Sequence, residues 1–226
     1  MGAPLIVAID GPSGVGKSTT ARLLARRLGV PYLDTGAMYR AFGLRVIDAG
    51  VDPEDHDRVL GALAATRLEL RLAGDGQAEV LLDGAPVGGR IRTPEVGEAT
   101  SKIATYPEVR DRLVGLQREL AERHGGVIEG RDIGTEVVPD TPHKFYFDAA
   151  EAVRVRRRFE ELRRAGRAVS EEAVAQEVRE RDRRDRTRAA SPLVATAGHL
   201  RLDTSGATPE QLVETMLAAI RSRAGR

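Results

Sequence analysis

The chain of 226 residues contains no cysteine and no tryptophan. Without thiols it has no disulfide, no thiolate nucleophile and no thiolate metal site. Histidine is sparse: His56, His124, His143 and His199 are scattered, and none makes a metal-spaced pair. Four Phe and four Tyr leave little aromatic surface on which nucleic-acid bases could stack. Neither sign of charge dominates. The 35 basic and 34 acidic residues give a net charge of +1, which excludes a polycationic coat or an acidic tail. Long hydrophobic runs are missing too. The stretch from Pro4 to Ile9 is stopped by Asp10, too short for a signal segment or a membrane helix. A cytoplasmic protein with no nucleic-acid and no membrane partner is expected.

What is present is a globular composition, 41% hydrophobic and 31% charged. A chain of this length can bury about 70% of its unfolded surface. All basic residues except Lys17, Lys102 and Lys144 are arginines, so an arginine carries information only where it falls on a motif. Leu5-Ile-Val-Ala-Ile9 is a short, β-branched apolar run, the pattern of a strand buried on both faces of a parallel sheet. A Gly-rich turn follows, then a helix from Lys17 to Leu28, a strand Pro31–Asp34, a helix Ala37–Ala49 and a short helix Asp55–Ala65. The period then changes to two. Leu68, Leu70 and Leu72 alternate with charged residues, Gly74-Asp-Gly76 reads as a turn, and Glu79–Leu82 is followed by the hairpin signal Asp83-Gly84. This predicts a small antiparallel insert over about 66–92.

Thr93-Pro94 and Pro107 open two helices. Val127–Glu129 and Lys144–Phe147 read as buried strands. Asp148 to Glu151 has the spacing of a capping box for an amphipathic helix that Gly166 ends, and Ser170 caps a charged helix to Thr187. His199–Asp203 is a last strand, and Thr208-Pro-Glu-Gln211 is a full capping box for the final helix. Strands alternating with helices predict an α/β fold: five core strands in a parallel sheet flanked by helices.

Gly11-Pro-Ser-Gly-Val-Gly-Lys-Ser18 matches G-x-x-x-x-G-K-[ST] with no mismatch, between a predicted strand and a predicted helix. Its backbone N–H groups should cradle phosphate oxygens, assisted by the positive end of the helix. Lys17 should reach the β- and γ-phosphates and Ser18 should offer its hydroxyl to Mg²⁺. No Asn-Lys-x-Asp motif of a GTPase occurs, and the length suits a small-molecule kinase, which leaves several acceptors open. Three further clusters narrow them. Asp34-Thr-Gly-Ala-Met-Tyr-Arg40 lies at a strand end, where ligands of such folds sit. Glu129-Gly-Arg-Asp-Ile-Gly-Thr135 puts a carboxylate where Mg²⁺ or its waters are steered, with Arg131 and Asp132 beside it. Arg181-Asp-Arg-Arg-Asp-Arg-Thr-Arg188 sets Arg181 with Asp185, and Arg184 with Arg188, on shared helix faces. Taken alone, that last run reads as a solvated helix.

Together, in this order and at these spacings, the four phrases resemble the bacterial cytidylate kinases, (d)CMP kinases of the nucleoside monophosphate kinase group, over essentially the whole chain. Ser18 stands where some members have a small residue, and Glu129 where some have Asp. The resemblance implies one P-loop kinase domain over 1–226. Within it would lie a nucleotide-acceptor region over 36–105, which contains the insert, and an Arg-rich helical lid over 151–170. It implies ATP held by Gly11, Pro12, Ser13, Gly14, Val15, Gly16, Lys17, Ser18 and Thr19, with Mg²⁺ on Ser18. It also implies CMP or dCMP held by Thr35, Arg40, Ser101, Arg110, Arg131, Asp132, Arg181, Asp185 and Arg188. Lys17, Arg131, Arg157 and Arg158 would carry phosphoryl transfer, Arg154 would belong to the same lid, and a monomer is expected. Asp132 can accept from the exocyclic amine of cytosine, whereas uracil would leave that carboxylate facing a carbonyl. Kinases of the same fold acting on uridylate, adenylate, thymidylate or shikimate are the enzyme alternatives. A non-catalytic nucleotide sensor or an RNA-associated P-loop protein is the alternative of another class.

Overall fold

The computed structural model describes residues 4–73 and 76–224. The core is a five-stranded parallel sheet built from β1 (Ile6–Asp10), β2 (Tyr32–Asp34), β6 (Gly126–Gly130), β7 (His143–Asp148) and β8 (His199–Asp203), in the order β2-β6-β1-β7-β8. The inner strand β1 is covered on both faces, which is why it is an apolar run up to Asp10, whereas the edge strand β8 leaves Arg201 exposed. Val7, Ile9, Val127, Phe145 and Phe147 point to one side, where they pack on Leu24 of α1 (Lys17–Leu28) and Met216 of α8 (Pro209–Ala224). Ala8, Leu33 and Ile128 point to the other, against Leu120 and Ala121 of α5 (Pro107–His124).

Two smaller bodies complete the molecule. The first joins α2 (Thr35–Asp48), α3 (His56–Ala64), α4 (Pro94–Ile103) and the start of α5 to the antiparallel strands β3 (Leu68–Leu72), β4 (Ala78–Leu82) and β5 (Ala85–Pro86). Its own core contains Met38, Phe42, Val59, Val80, Ile91, Ile103 and Leu113. The β4–β5 hairpin turns on Asp83 and Gly84, both at positive φ (51° and 83°), the geometry its sequence announces. The expected turn at Gly74-Asp75 lies outside the described residues. At its end, Gly76 O accepts from Tyr32 N at 3.0 Å and Gln77 bridges Tyr32, so the insert covers the edge strand β2. The second body is a helical hairpin, α6 (Glu151–Arg164) and α7 (Glu171–Thr187), closed by Val155, Leu162, Val174 and Val178. Among the described residues no helix is long and apolar enough to cross a membrane.

The capping boxes divide. Thr208 and Gln211 bond each other reciprocally (2.9 and 3.3 Å) at the start of α8. The one expected at Asp148 does not form. Asp148 is still paired in β7, its carboxylate takes the Ala149 N–H, and Ala150 opens α6 with no side-chain cap. Helix α2 starts at Thr35, earlier than expected, because the Asp34 side chain accepts from Ala37 N and caps it. A five-residue π-helical turn, Ile133–Val137, was not legible in the sequence at all. Phe147 is fully buried between the sheet and its helices. Phe147→Ala should lower unfolding free energy by about 3–5 kcal/mol, and loss of the Thr208 cap by about 1 kcal/mol, measured by urea unfolding.

Candidate functional site

Parallel pairing decides which residues meet. In register, Asp10 lies beside Gly130, and Asp34 beside Glu129. The three segments that leave these strand ends are the P-loop, the Asp34–Arg40 turn and the Glu129–Thr135 turn, so they converge on one edge of the sheet, where ligands of such folds bind. The P-loop wraps with Gly14 and Gly16 at φ 79° and 85°, a conformation that favours glycine. Lys17 is buried, and its ammonium donates to Gly11 O and Pro12 O at 2.7 and 2.8 Å. Burial first, and then the nearby Arg131, hold its pKa well below the usual lysine value. Ser18 donates to the buried Glu129 carboxylate, and so does the phenol of Tyr32. Burial and the proximity of Asp34 raise the pKa of Glu129. The Glu129 carboxylate at the end of β6 and the Ser18 hydroxyl at the end of the phosphate loop lie side by side, two hard oxygen donors of the kind Mg²⁺ takes with water completing its shell.

The acceptor side is a ring of paired charges. Arg110 of α5 and Asp132 form a buried ion pair. Arg188, which follows the end of α7, lies 3.8 Å from Asp132 and 3.7 Å from Asp185. Arg131 donates from Nε to Asp185 at 2.8 Å. Burial raises the pKa of Asp132, with Arg110 and Arg188 pulling the other way. For Asp185 burial also pushes up, but Arg131, Arg181 and Arg188 together outweigh it and hold the carboxyl below its ordinary value. Arg181 is lowered to about 10 by burial and by the adjacent Arg131. Arg40 pairs with Asp34 at 2.7 Å.

Many donors here lack an acceptor. Arg40 Nε, Ser101 Oγ, Arg110 Nε, Arg181 Nε and Arg188 Nη2 are buried with no hydrogen-bond partner, and so is the phenol oxygen of Tyr39. Buried polar groups are nearly always bonded. Three of these orphans, on Arg110, Arg188 and Tyr39, gather round the Asp132 carboxylate and mark a surface shaped for a polar ligand. Tyr39, whose ring stacks under the Arg110 guanidinium at 5.5 Å, was no more than a phenol in a motif at the sequence level.

Other expected residues sit differently. Thr35 donates to the Glu129 carbonyl at 2.7 Å and ties α2 to β6. Thr19 is exposed on α1. Arg154 is buried, paired with Asp182 at 2.7 Å, and donates to the P-loop carbonyl of Ser13 at 3.3 Å. Arg157 donates to Thr204 O at 2.7 Å, and the Thr204 hydroxyl in turn holds Val15 O at 2.9 Å. Arg158 pairs with Glu161 and Glu177 at 3.2 and 3.5 Å and is close enough to lower the pKa of Arg181. The charged α7 is thus two-faced, with Arg181, Asp182 and Asp185 turned inward and Arg179, Arg183 and Arg186 outward.

The cytidylate kinase family profile matches residues 7–222. A cytidylate kinase of Corynebacterium efficiens is 48% identical over 224 residues, 98% of this chain and 96% of that protein. Cytidylate kinases of Pelotomaculum thermopropionicum (47% identical, 95% of each chain) and Mycobacterium avium (46% identical, 99% and 98%) are similar over the same span. A crystal structure of an uncharacterized protein from Eubacterium ventriosum shares the fold, with a TM-score of 0.51 at 14% identity, covering 96% of this chain and 99% of that one.

Breaking the Arg110–Asp132 pair strands a buried charge. Arg110→Met should cost about 3–5 kcal/mol in urea unfolding, and Arg110→Met/Asp132→Leu should cost less than the single change. Additive losses would mean that the two groups are not coupled.

Proposed function

The chain belongs to the cytidylate kinase family, and from that premise we propose that it moves the γ-phosphoryl group of ATP onto CMP and dCMP. It is a phosphotransferase. The observation that supports the acceptor assignment is the set of unused donors on Arg110, Arg188 and Tyr39 around Asp132. A cytosine edge offers an amine to Asp132 and a carbonyl and ring nitrogen to donors such as Arg110, Arg188 and Ser101. Uracil presents a carbonyl where the amine would be and leaves a buried carboxylate unpaired. The Arg181–Asp185 pair suits the sugar hydroxyls. Arg40 and Arg131 offer planar guanidiniums to the acceptor phosphate, whose fixed forks match its oxygens.

On the donor side, residues 11–19 hold ATP. The Lys17 ammonium has three N–H donors, and two are engaged with the loop carbonyls. Its place at the mouth of the loop makes it the group to meet the β- and γ-oxygens. Ser18, with Glu129 steering bound water, would hold Mg²⁺, which neutralises charge on the transferring phosphoryl group. The acceptor oxygen is already ionised, so no general base is needed, and transfer proceeds in line without a covalent enzyme intermediate. Positioning and fixed positive charge do the work. Arg131 and Arg158 border the acceptor-phosphate side. Arg157 sits one shell behind the P-loop and acts through Thr204 and Val15. The segment 151–170, α6 and the loop that follows it, would close over the phosphates and exclude water.

ADP release should be measured with Mg·ATP and, separately, CMP, dCMP, UMP, AMP, dTMP and shikimate. CMP and dCMP should be strongly preferred. Another preferred acceptor would overturn the assignment of Asp132 and Arg188 to the base, and ATP binding with no acceptor turned over would favour a sensor. Lys17→Ala should lower kcat by about 10²–10³-fold. Asp132→Ala should lower kcat/KM for CMP about a hundredfold while leaving ATP affinity within about twofold.

A further inference from the structure

One buried carboxylate has no part in the phosphate and base contacts described above: Asp10, with 1% of its surface exposed. It ends β1 just before the P-loop, yet its side chain turns away from the loop. Oδ1 accepts from Ile133 N at 2.7 Å and Oδ2 from Gly134 N at 2.8 Å. Oδ2 also meets Nε2 of His199, whose side chain is fully buried, at 3.2 Å. The hydrogen positions on this imidazole follow from its partners. The backbone N–H of Thr196 points at Nδ1 from 3.1 Å. A backbone amide can only donate, so Nδ1 accepts, the ring hydrogen sits on Nε2, and His199 donates to Asp10. Three donors therefore satisfy one buried carboxylate.

The two amides that Asp10 holds open the π-helical turn Ile133–Val137, and the residue before them is Asp132. Turns of this type are rare and need support. The far end is supported by Arg118, whose Nε donates to the carbonyls of Glu136 and Val137 at 3.1 and 3.2 Å. Gly134 is a close-approach glycine, because a Cβ there would lie 2.7 Å from His199 Nε2. The imidazole also reaches the other wall of the base site. It anchors Thr196 in the segment that runs back through Leu193, bonded to Asp185 O at 2.8 Å, and Ser191, whose carbonyl accepts from Arg188 Nε at 2.7 Å. One side chain thus joins the supports of Asp132 and Arg188.

We infer that the buried Asp10–His199 pair is a positioning device for the acceptor base, holding the turn after Asp132 and the segment after Arg188 at a fixed spacing. This rests on the reading of Asp132 and Arg188 as the base contacts. His199 touches no substrate, so its loss should act on acceptor recognition and not on ATP.

The test compares the full chain with His199→Gln, His199→Asn and His199→Ala. Gln can reach Asp10 with a donor but gives up the Thr196 contact, Asn the reverse. KM is measured separately for CMP and ATP, together with the CMP-to-UMP preference, and amide exchange at Ile133 and Gly134 is followed by NMR. His199→Ala and His199→Asn should raise KM for CMP about tenfold, reduce the preference over UMP, speed exchange at both amides and leave KM for ATP within about twofold. His199→Gln, which keeps the donor to Asp10 but not the tie to Thr196, should restore protection of both amides and recover only part of the KM loss. If His199→Ala does not fold, the Gln–Asn comparison carries the test. Equal rises in both KM values, a loss confined to kcat, or faster exchange with an unchanged KM for CMP would overturn the inference. A wild-type chain that protects both amides but does not turn over CMP would overturn the acceptor reading, and this inference with it.

Discussion

The cleft depends on the parallel pairing of β6 with its two neighbours. Register places Asp10 beside Gly130 and Asp34 beside Glu129, so three turns leave the sheet at the same level. Each turn then spends its first residues on fastening itself to the others. Thr35 bonds the Glu129 carbonyl, Tyr32 and Ser18 bond its carboxylate, and Asp10 holds the amides of Ile133 and Gly134. A slip of one residue between β1 and β6 would part Asp10 from those amides, and a slip between β2 and β6 would part Asp34 from Glu129.

Burying so much charge is costly, and the way it is balanced separates two kinds of residue. Asp10, bonded by His199 and two backbone amides, is satisfied within the protein and belongs to its frame. Around Asp132 the balance is incomplete. Its carboxylate is paired, but Arg110, Arg188 and the Tyr39 phenol keep unused donors. Lys17 and Arg181 are pushed below their usual values by burial and by cationic neighbours. In the proposed reading, ligand phosphates and a base edge would relieve both strains, coupling binding to the electrostatics of the fold.

Much of this was legible in advance. The P-loop, the Asp34–Arg40 and Glu129–Thr135 turns and the antiparallel insert each depend on local chemistry: fixed glycines, strand-end carboxylates, and a period that changes from 3.6 to two. Ser170 and the Thr208–Gln211 box were readable for the same reason, since a cap bonds residues three apart. Asp148 shows where the same logic stops: the spacing of a box was there, but sheet pairing claimed the residue first. The arginine run of α7 could not be divided into inner and outer faces from composition alone.

The sequence by itself determined the element order, the parallel α/β class, the phosphate loop and the residues from which an acceptor site is drawn, because each is written in neighbours a few positions apart. Tertiary structure alone decided which of those residues meet. Tyr32 finds Glu129 across 97 positions and His199 finds Asp10 across 189, and no periodicity or motif spans such distances. The π-helical turn, the Arg154 bond to the P-loop and the orphan hydroxyls of Tyr39 and Ser101 belong to the same class. Each follows from long-range packing, which sets burial and hydrogen-bond supply only once the sheet has brought distant segments together.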